Sequence, residues 1–304
     1  MEEQERTETN GQAEPELLYH YTTQEGLLGM LDNEKIWATH IRYLNDTSEG
    51  KILFATFMDQ LLSAYETIDS DILVNGLTMA TWATSQNVFI ASFSERKDSL
   101  SQWRAYSGKA LGFSIGFRLE YLRKIGKHFI DDRLDRFYSQ SEPLVRCKYY
   151  DQNEKKTHEL EIETKISAFI TEVKKNQAIP IEDRPENFET LGQIASRHFV
   201  DMGRESARIK DIGFCGEAEW RLAFLLNQYY TPRDLKFKPG NSVPVPYLEV
   251  PLCWDQQPIE IEEIVVGPSY PHTEEAVESV KMLLSSKGLT NDKVVPSKIP
   301  YRNW

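Results

Sequence analysis

The stretch LLYHYTTQEGLLGMLDNEKIWATHIRYLNDTSE, residues 17–49, contains a predicted strand, a helix and a second strand in close succession. Its apolar beginning, LLY, predicts a buried strand. The polar residues His20, Tyr21 and Thr22 follow at the end of that strand, where a fixed scaffold can present side chains to a ligand. We therefore expect a binding or catalytic site at this point of the chain.

The segment after these residues has the signals of a helix. Thr22 and Glu25 have the spacing of a capping box, in which each side chain binds a backbone amide at the helix N-terminus. The helix is predicted to end near residues 32–33, and residues 36–38 then form a second short strand. Three leucines share the apolar face of this helix: Leu27, Leu28 and Leu31.

The end of the stretch repeats the capping pattern, because Asp46 stands three residues before Glu49. The cap places Asn45, Asp46 and Glu49 at the start of the next helix, which makes them further candidates for the site. The alternative is that they only cap this helix, an interpretation that their spacing fully explains.

The composition is that of a globular protein with a large core, since 40% of the 304 residues are hydrophobic. The formal net charge of −12 disfavours a broad basic surface for nucleic acid. Cys147, Cys215 and Cys253 stand far apart, which fits a reducing cytoplasm. We expect no membrane segment, a disordered acidic segment at residues 1–15, and a single domain over residues 16–304.

Two further segments carry polar or aromatic candidates for the site. The apolar run at 88–94 has the pattern of a core strand that presents Ser92 or Ser94. The next segment, DSLSQWRAYS, predicts a helix that is capped by its aspartate and has Trp103 and Tyr106 near one face. Both aromatic residues are candidate ligand contacts, and the alternative is that both belong to the core.

Strands and helices are predicted through the rest of the chain, so the expected fold class is α+β. Residues 152–210 differ in character, because they contain two amphipathic helices that we interpret as a helical insertion. Further strands are predicted at 110–117, 143–150, 220–226, 247–253, 259–266 and 294–295, and helices at 50–65, 69–86 and 273–284.

Several reaction classes lose support because their motifs are missing. The sequence contains no phosphate-binding loop, no G-x-G-x-x-G and no H-E-x-x-H. The six histidines show no ligand spacing, so no metal is expected. The run Glu161-x-Glu163-x-Lys165 resembles a nuclease motif, but its neighbours have helical periodicity, which favours a solvated helix face.

A second acidic pair occurs in Glu217-Ala218-Glu219-Trp220-Arg221, at the start of an apolar strand. If the strand begins at Glu217, alternation puts both carboxylates and Arg221 on one face of the sheet. Crowded carboxylates are a common acid–base device, so Glu217 and Glu219 are candidate catalytic residues. The alternative is an edge strand whose polar residues face water.

The order of these segments resembles the bacterial domain-of-unknown-function 2971 family. The resemblance extends from about Leu17 to Arg302 and rests on the motifs in the order in which they occur. They are L-Y-H-Y-T, L-N-D-x-x-E, A-S-F-S-E, D-S-L-x-x-W-x-x-Y, E-A-E-W-R, I-V-V-G-P and I-P-Y-R.

A weaker resemblance connects the same order to ADP-ribosyltransferases. It implies two small mixed or antiparallel sheets split around a cleft that binds NAD. It also implies that His20 contacts the adenosine ribose, that Ser92 or Ser94 lies beside the nicotinamide, and that Glu219 is the catalytic glutamate. Glu217 would position or deprotonate an acceptor.

The resemblance implies an NAD-consuming transferase or NAD glycohydrolase in bacterial stress or phage defence. NAD is then the substrate, and the acceptor is an unidentified protein or nucleic acid. The first alternative is a nucleotide- or protein-binding module without catalysis on the same fold. The second is a metal-dependent nuclease, which would lose its activity in the presence of a chelator.

Overall fold

The structure is a computed structural model, and it describes residues 13–44, 88–106, 112–133, 142–151, 155–185, 188–226, 235–240, 242–254, 257–268 and 272–301. Strands and helices alternate irregularly within these ranges, which confirms the α+β class. The strands are β1 (Leu17–Thr23), β2 (Lys35–His40), β3 (Val88–Ser94), β4 (Gly112–Arg118), β5 (Leu144–Arg146), β6 (Lys148–Tyr150), β7 (Ile209–Asp211), β8 (Glu219–Leu225), β9 (Lys236–Lys238), β10 (Val245–Pro251), β11 (Glu263–Val266) and β12 (Val294–Pro296). The α-helices are α1 (Gln24–Asn33), α2 (Leu100–Tyr106), α3 (Leu119–Arg133), α4 (Lys155–Gln177), α5 (Leu191–Arg208) and α6 (Thr273–Ser286).

Ten of these strands form one mixed sheet. Its main path runs β12-β11-β4-β1-β3-β2-β10-β9, while β8 pairs with β3, and β5 pairs with β8. Most neighbours are antiparallel, and β11 with β12 is a parallel pair. The short strands β6 and β7 form a separate parallel pair that leads from α5 towards β8.

The sheet divides at β3. One edge of β3 pairs with β8 along its whole length, from Val88 to Ser94. On the other edge, β1 pairs at one end, where Tyr19 is opposite Ser94, and β2 pairs at the other end, where Thr39 is opposite Ile90. Because β1 and β2 meet β3 at different ends, they separate beside the middle of β3 and leave an opening.

The connection between β1 and β2 explains this arrangement. Both strands are antiparallel to β3, so they are parallel to each other and need a crossover, which α1 provides. The helix buries Leu27, Met30 and Leu31 in the main core. Burial of this apolar face, at about 25 cal/mol per Å² of apolar surface, holds α1 against the sheet beside the opening.

The first strand and the first helix cap differ from the prediction by a few residues. Strand β1 continues to Thr23, so His20, Tyr21 and Thr22 lie inside the strand and not after its end. Full pairing with β4 extends the strand through these residues. The N-cap of α1 is Thr23, whose hydroxyl accepts a hydrogen bond from the Gly26 amide at 3.2 Å.

Three other segments also differ from the prediction. Residues 143–150 form two short strands in different sheets, because β5 pairs with β8 while β6 pairs with β7. The strand predicted at 259–266 begins only at Glu263. The carboxylate of Asp98 does not cap α2 in the predicted way, since it accepts hydrogen bonds from the Trp103 indole, Ser297 and the Lys298 amide.

Helices α4 and α5 lie where the helical insertion was predicted, within residues 152–210. Helix α3 was not predicted, although it buries Leu122, Ile125 and Phe129 against the sheet. The helices predicted at 50–65 and 69–86 lie outside the described residues. Within the ranges that the structure describes, no helix is long and apolar enough to cross a lipid bilayer.

Candidate functional site

A cavity of about 710 Å³ occupies the opening between β1 and β2. Strands β3 and β8 and the helices α1 and α2 contribute to its walls. Most of the candidate residues that the structure describes line this one cavity, although they come from four segments of the chain. They are His20, Tyr21, Thr22, Ser92, Ser94, Tyr106, Glu217, Glu219 and Arg221.

The centre of the site is the carboxylate of Glu219, whose side chain is only 5% exposed. Arg221 binds it with two nitrogens, because Nε lies 3.0 Å from Oε1 and Nη2 lies 3.0 Å from Oε2. The ammonium group of Lys210 donates a third hydrogen bond, at 2.6 Å to Oε2. Charge-assisted bonds of this kind are short and strong, and they fix the carboxylate in one orientation.

Alternation along β8 explains why Glu219 and Arg221 meet. Residues two apart in a strand face the same side of the sheet, so both side chains point into the cavity. Between them, Trp220 faces the other side and donates its indole N–H to Glu95 at 2.8 Å. This part of the predicted pattern is therefore confirmed by the register of β8 with β3, in which Glu219 lies opposite Ser94.

Glu217 reaches the same cluster by a different backbone path. The strand begins at Glu219 and not at Glu217, which ends a 3-10 helix over Ile212–Glu217. Ala218 turns the chain between them in the left-handed region, with φ of 44°. The Glu217 carboxylate nevertheless faces the cluster, since Lys210 Nζ lies 2.6 Å from its Oε2 and the Tyr106 hydroxyl 3.3 Å from its Oε1.

The charges in this cluster hold one another in the ionised state. Burial alone would raise the pKa of Glu219, but the charges of Arg221 and Lys210 outweigh it and lower the pKa to about 2. Burial would lower the pKa of Lys210, and the attraction of Glu219 outweighs it and raises the pKa. Burial and the Glu217 charge raise the pKa of Tyr106 to about 12. The cavity therefore presents a permanent carboxylate at neutral pH.

The serines of β3 border the two carboxylates. Ser94 is buried and donates its hydroxyl to the backbone oxygen of Glu217 at 2.6 Å, so it positions the turn that carries this carboxylate. Ser92 lies two residues earlier on the same cavity wall, and its backbone oxygen lies 3.0 Å from Nδ1 of His20. A backbone oxygen only accepts hydrogen bonds, so Nδ1 carries the proton.

The imidazole of His20 is thereby prepared to accept a hydrogen bond from a ligand. Burial lowers its pKa, and the charge of Lys238 acts in the same direction, against the hydrogen bond to Ser92. The ring is therefore neutral at pH 7, with its proton on Nδ1 and a free lone pair on Nε2. A ligand hydroxyl in the opening between β1 and β2 is the natural donor for this nitrogen.

The aromatic candidates have separate places. The Tyr106 hydroxyl reaches the cavity, whereas the Trp103 side chain is 1% exposed and belongs to the core. Trp103 packs edge to face against Tyr21, with ring centroids 4.7 Å apart. The Tyr21 hydroxyl donates to the backbone oxygen of Arg96 at 2.8 Å, which ties β1 to the loop after β3. These contacts favour the alternative for Trp103, a residue of the core.

Lys210 was not among the predicted site residues. It lies on β7, and its side chain is only 5% exposed. Its position depends on tertiary contacts, because the chain turns back after Lys210 and brings Glu217 and Glu219 to its ammonium group.

Asn45, Asp46 and Glu49, the remaining candidates, lie outside the described residues. Among the residues that are described, no group of three or more histidine, cysteine, aspartate or glutamate side chains is arranged to hold a metal ion. Lys210 lies between the carboxylates of Glu217 and Glu219, at the position where a cation would bind.

Comparison with known proteins gives one family match. Residues 102–222 match the family model described as "Protein of unknown function (DUF2971)". No curated protein and no solved structure matches the chain. The matched segment begins in α2 and ends in β8, so it includes Tyr106, Lys210, Glu217, Glu219 and Arg221. The predicted resemblance of this chain to the domain-of-unknown-function 2971 family is thus confirmed over residues 102–222.

Proposed function

We propose that the protein cleaves the bond between nicotinamide and ribose in NAD and transfers ADP-ribose to an acceptor or to water. The observation that supports this most is the cluster at the split in the sheet, where Glu217 and Glu219 face one cavity with His20. The cavity volume of about 710 Å³ is in the range of binding sites for cofactor-sized ligands.

Cleavage of this bond requires a fixed negative charge beside the ribose. When the bond breaks, its electron pair leaves with nicotinamide, and the ribose becomes an oxocarbenium-like cation. A carboxylate beside this cation stabilises the transition state more than the ground state, and this difference accelerates the reaction. Glu219 is suited to the role because its low pKa keeps it ionised and its partners keep it in place.

The two carboxylates differ in how many further hydrogen bonds they can accept. An ionised carboxylate has about four acceptor positions. Glu219 uses three of them for Arg221 and Lys210, which leaves one for a ribose hydroxyl. Glu217 uses two, for Lys210 and Tyr106, and it can also take the proton of an attacking water or acceptor group.

The test is nicotinamide release from NAD by the purified protein. We expect Glu219→Gln to lower the rate by about a hundredfold or more, as loss of one charge that stabilises a transition state typically does. Glu262→Gln is the matched control, because Glu262 pairs with Arg118 and Lys293 and does not line the cavity. A chelator arm separates this reaction from metal-dependent chemistry.

Two results would count against the proposal. Release by folded Glu219→Gln at the wild-type rate would remove this residue from the mechanism. An absence of release, with NAD binding intact and a panel of acceptors supplied, would favour the second candidate.

That second candidate is nucleotide binding without turnover. It is favoured by one observation, the bidentate contact of Arg221 with Glu219, which takes up two acceptor positions of this carboxylate. In this case Glu219 has only a structural role, so its substitution changes stability and no reaction rate, while His20 substitution changes ligand affinity.

A further inference from the structure

Lys238 lies at the end of the cavity formed by β2, β9 and β10. Its ammonium group donates a hydrogen bond to Oγ1 of Thr39 at 2.9 Å and lies 5.6 Å from the centre of the Trp37 ring. In the described part of the chain, no carboxylate forms an ion pair with it. The other two described lysines on the cavity wall are paired by contrast, Lys35 with Glu249 at 2.8 Å and Lys210 with Glu217 and Glu219.

A partly buried ammonium group without a counter-ion is an unusual and costly arrangement. The cost is visible in Lys238, because burial lowers its pKa and no neighbouring charge opposes the effect. An ammonium group has three N–H donors, and Thr39 takes one of them. Two donors are left for an anion that enters the cavity, and a phosphate oxygen would form charge-assisted hydrogen bonds with them.

Trp37 adds an aromatic surface beside this charge. Its side chain is 45% exposed, although it is a large apolar group on the wall of a cavity. The ring of Tyr247 supports it from one side, with centroids 4.4 Å apart and an angle of 35°. An exposed indole that is held in this way is a platform on which a nucleobase can stack.

The register of the sheet gives the distance from this end to the carboxylates. On β3, Ser94 lies opposite Glu219 of β8, and Ile90 lies opposite Thr39 of β2. Four residues along a strand span about 13 Å, and two strand spacings add about 10 Å across the sheet. A compact ligand such as a free ribose cannot contact both ends, whereas an extended ligand with a phosphate in its middle can.

On the basis of the NAD-cleaving function above, we propose that Lys238, Thr39 and Trp37 form a nucleotide subsite. Lys238 binds a phosphate of the substrate, and Trp37 stacks on its base. The ribose that reacts lies at the other end, beside Glu219. The subsite therefore selects dinucleotides over nicotinamide riboside, which has neither the phosphate nor the second base.

The test is calorimetric titration with ADP and with adenosine. We expect Lys238→Met to weaken ADP binding by about tenfold or more, since it removes a charge-assisted hydrogen bond, and to change adenosine binding by less than about twofold. Trp37→Ala should weaken both ligands, because both contain the base. Lys236→Met is the matched control, since this exposed lysine stands on the same strand and does not line the cavity.

Lys238→Arg keeps the charge and should restore ADP binding to within about threefold, which guards against a folding defect as the cause. Equal ADP affinities for Lys238→Met and the wild type, or no ADP binding by the wild type, would overturn the subsite. Nicotinamide release from NAD, measured in parallel, tests the proposed function independently of the subsite. If the protein binds ADP in this way but does not cleave NAD, the subsite is supported and the transferase function is rejected. If Lys238→Met cleaves NAD with an unchanged KM, the transferase function is supported and the subsite is rejected.

Discussion

The ammonium group of Lys210 lies 2.6 Å from Oε2 of Glu219, and both side chains are 5% exposed. The two residues stand on β7 and β8, so their contact joins the end of the helical segment to the central sheet. Removal of two such charges from water is costly, and their attraction balances this cost only while both partners are present. The site therefore keeps its geometry only while this contact is present, and the two residues also supply two of its charges.

Loss of the lysine charge alone should therefore destabilise the protein. We expect Lys210→Met to lower the free energy of unfolding by about 3 kcal/mol, because it leaves two partly or fully buried carboxylates without their shared cation. The measurement is urea denaturation at pH 7. Lys293→Met, which removes an exposed pair with Glu262, should lower the free energy of unfolding much less, because solvent screens exposed pairs.

The double variant Lys210→Met/Glu219→Gln provides a check on the cause. Removal of both charges should cost less than the sum of the single changes, because the buried carboxylate is then neutral as well. Additive losses would mean that the two side chains stabilise the fold independently, contrary to the contact described here.

The low pKa of Glu219 should appear in the acid stability of the protein. A carboxyl whose pKa is lowered by folding contributes stability above its ordinary pKa of 4.5, and the contribution is lost as the pH falls towards about 2. From the difference between these values, the contribution is on the order of 3 kcal/mol.

Unfolding free energies measured between pH 7 and pH 2.5 should fall less steeply in Glu219→Gln than in the wild type. The two curves should run parallel above pH 5 and approach each other below pH 4.5. Parallel curves over the whole range would show that Glu219 titrates at its ordinary pKa.

Local patterns in the sequence predicted the strands and helices better than the contacts between them. The alternation in β8 was sufficient to place Glu219 and Arg221 on one face, because it depends on residues that are two apart. For Glu217 the condition of a strand that begins at this residue is not met, because Ala218 adopts a left-handed conformation that its residue type does not signal.

Lys210 and Lys238 were missed for a different reason. Each takes its role from partners on other strands, Glu219 for one and Thr39 for the other, and no periodicity within a segment reports such pairs. The resemblance to ADP-ribosyltransferases implied two small sheets around a cleft, and nothing in the sequence predicted an opening between β1 and β2 within one ten-stranded sheet. The physical cause of this opening is the way two parallel strands share one edge of β3.

The protonation state of His20 can be measured directly. We expect long-range ¹H–¹⁵N spectra at pH 7 to show a neutral ring with the proton on Nδ1, because that atom lies 3.0 Å from the Ser92 carbonyl oxygen. Burial lowers the pKa of His20 below 6.5, so this state should persist when the pH falls through 6.5. A proton on Nε2, or a charged ring at pH 7, would contradict the geometry.

The sign of the linked stability follows from the same shift. The unfolded chain takes up a proton at His20 near pH 6.5, whereas the folded chain does so only at lower pH. His20 should therefore make the protein less stable as the pH falls below 6.5, and His20→Phe, which does not titrate, should remove this pH dependence.

Ala218 offers a test of the turn that separates the two carboxylates. Its φ of 44° is unfavourable for a residue with a Cβ atom, by about 1 kcal/mol, and glycine adopts this conformation without that cost. Because the carbonyl of Ala218 accepts the Glu95 amide at 3.0 Å, the surrounding structure holds the turn in place. We expect Ala218→Gly to raise the midpoint of thermal unfolding by a few degrees, and Ala218→Val to lower it.

The same turn sets the distance from Glu217 to Lys210, so Ala218→Gly should leave ligand affinity unchanged while Ala218→Val weakens it. If valine were as stable as alanine, the left-handed turn would not be the conformation that brings the two carboxylates together.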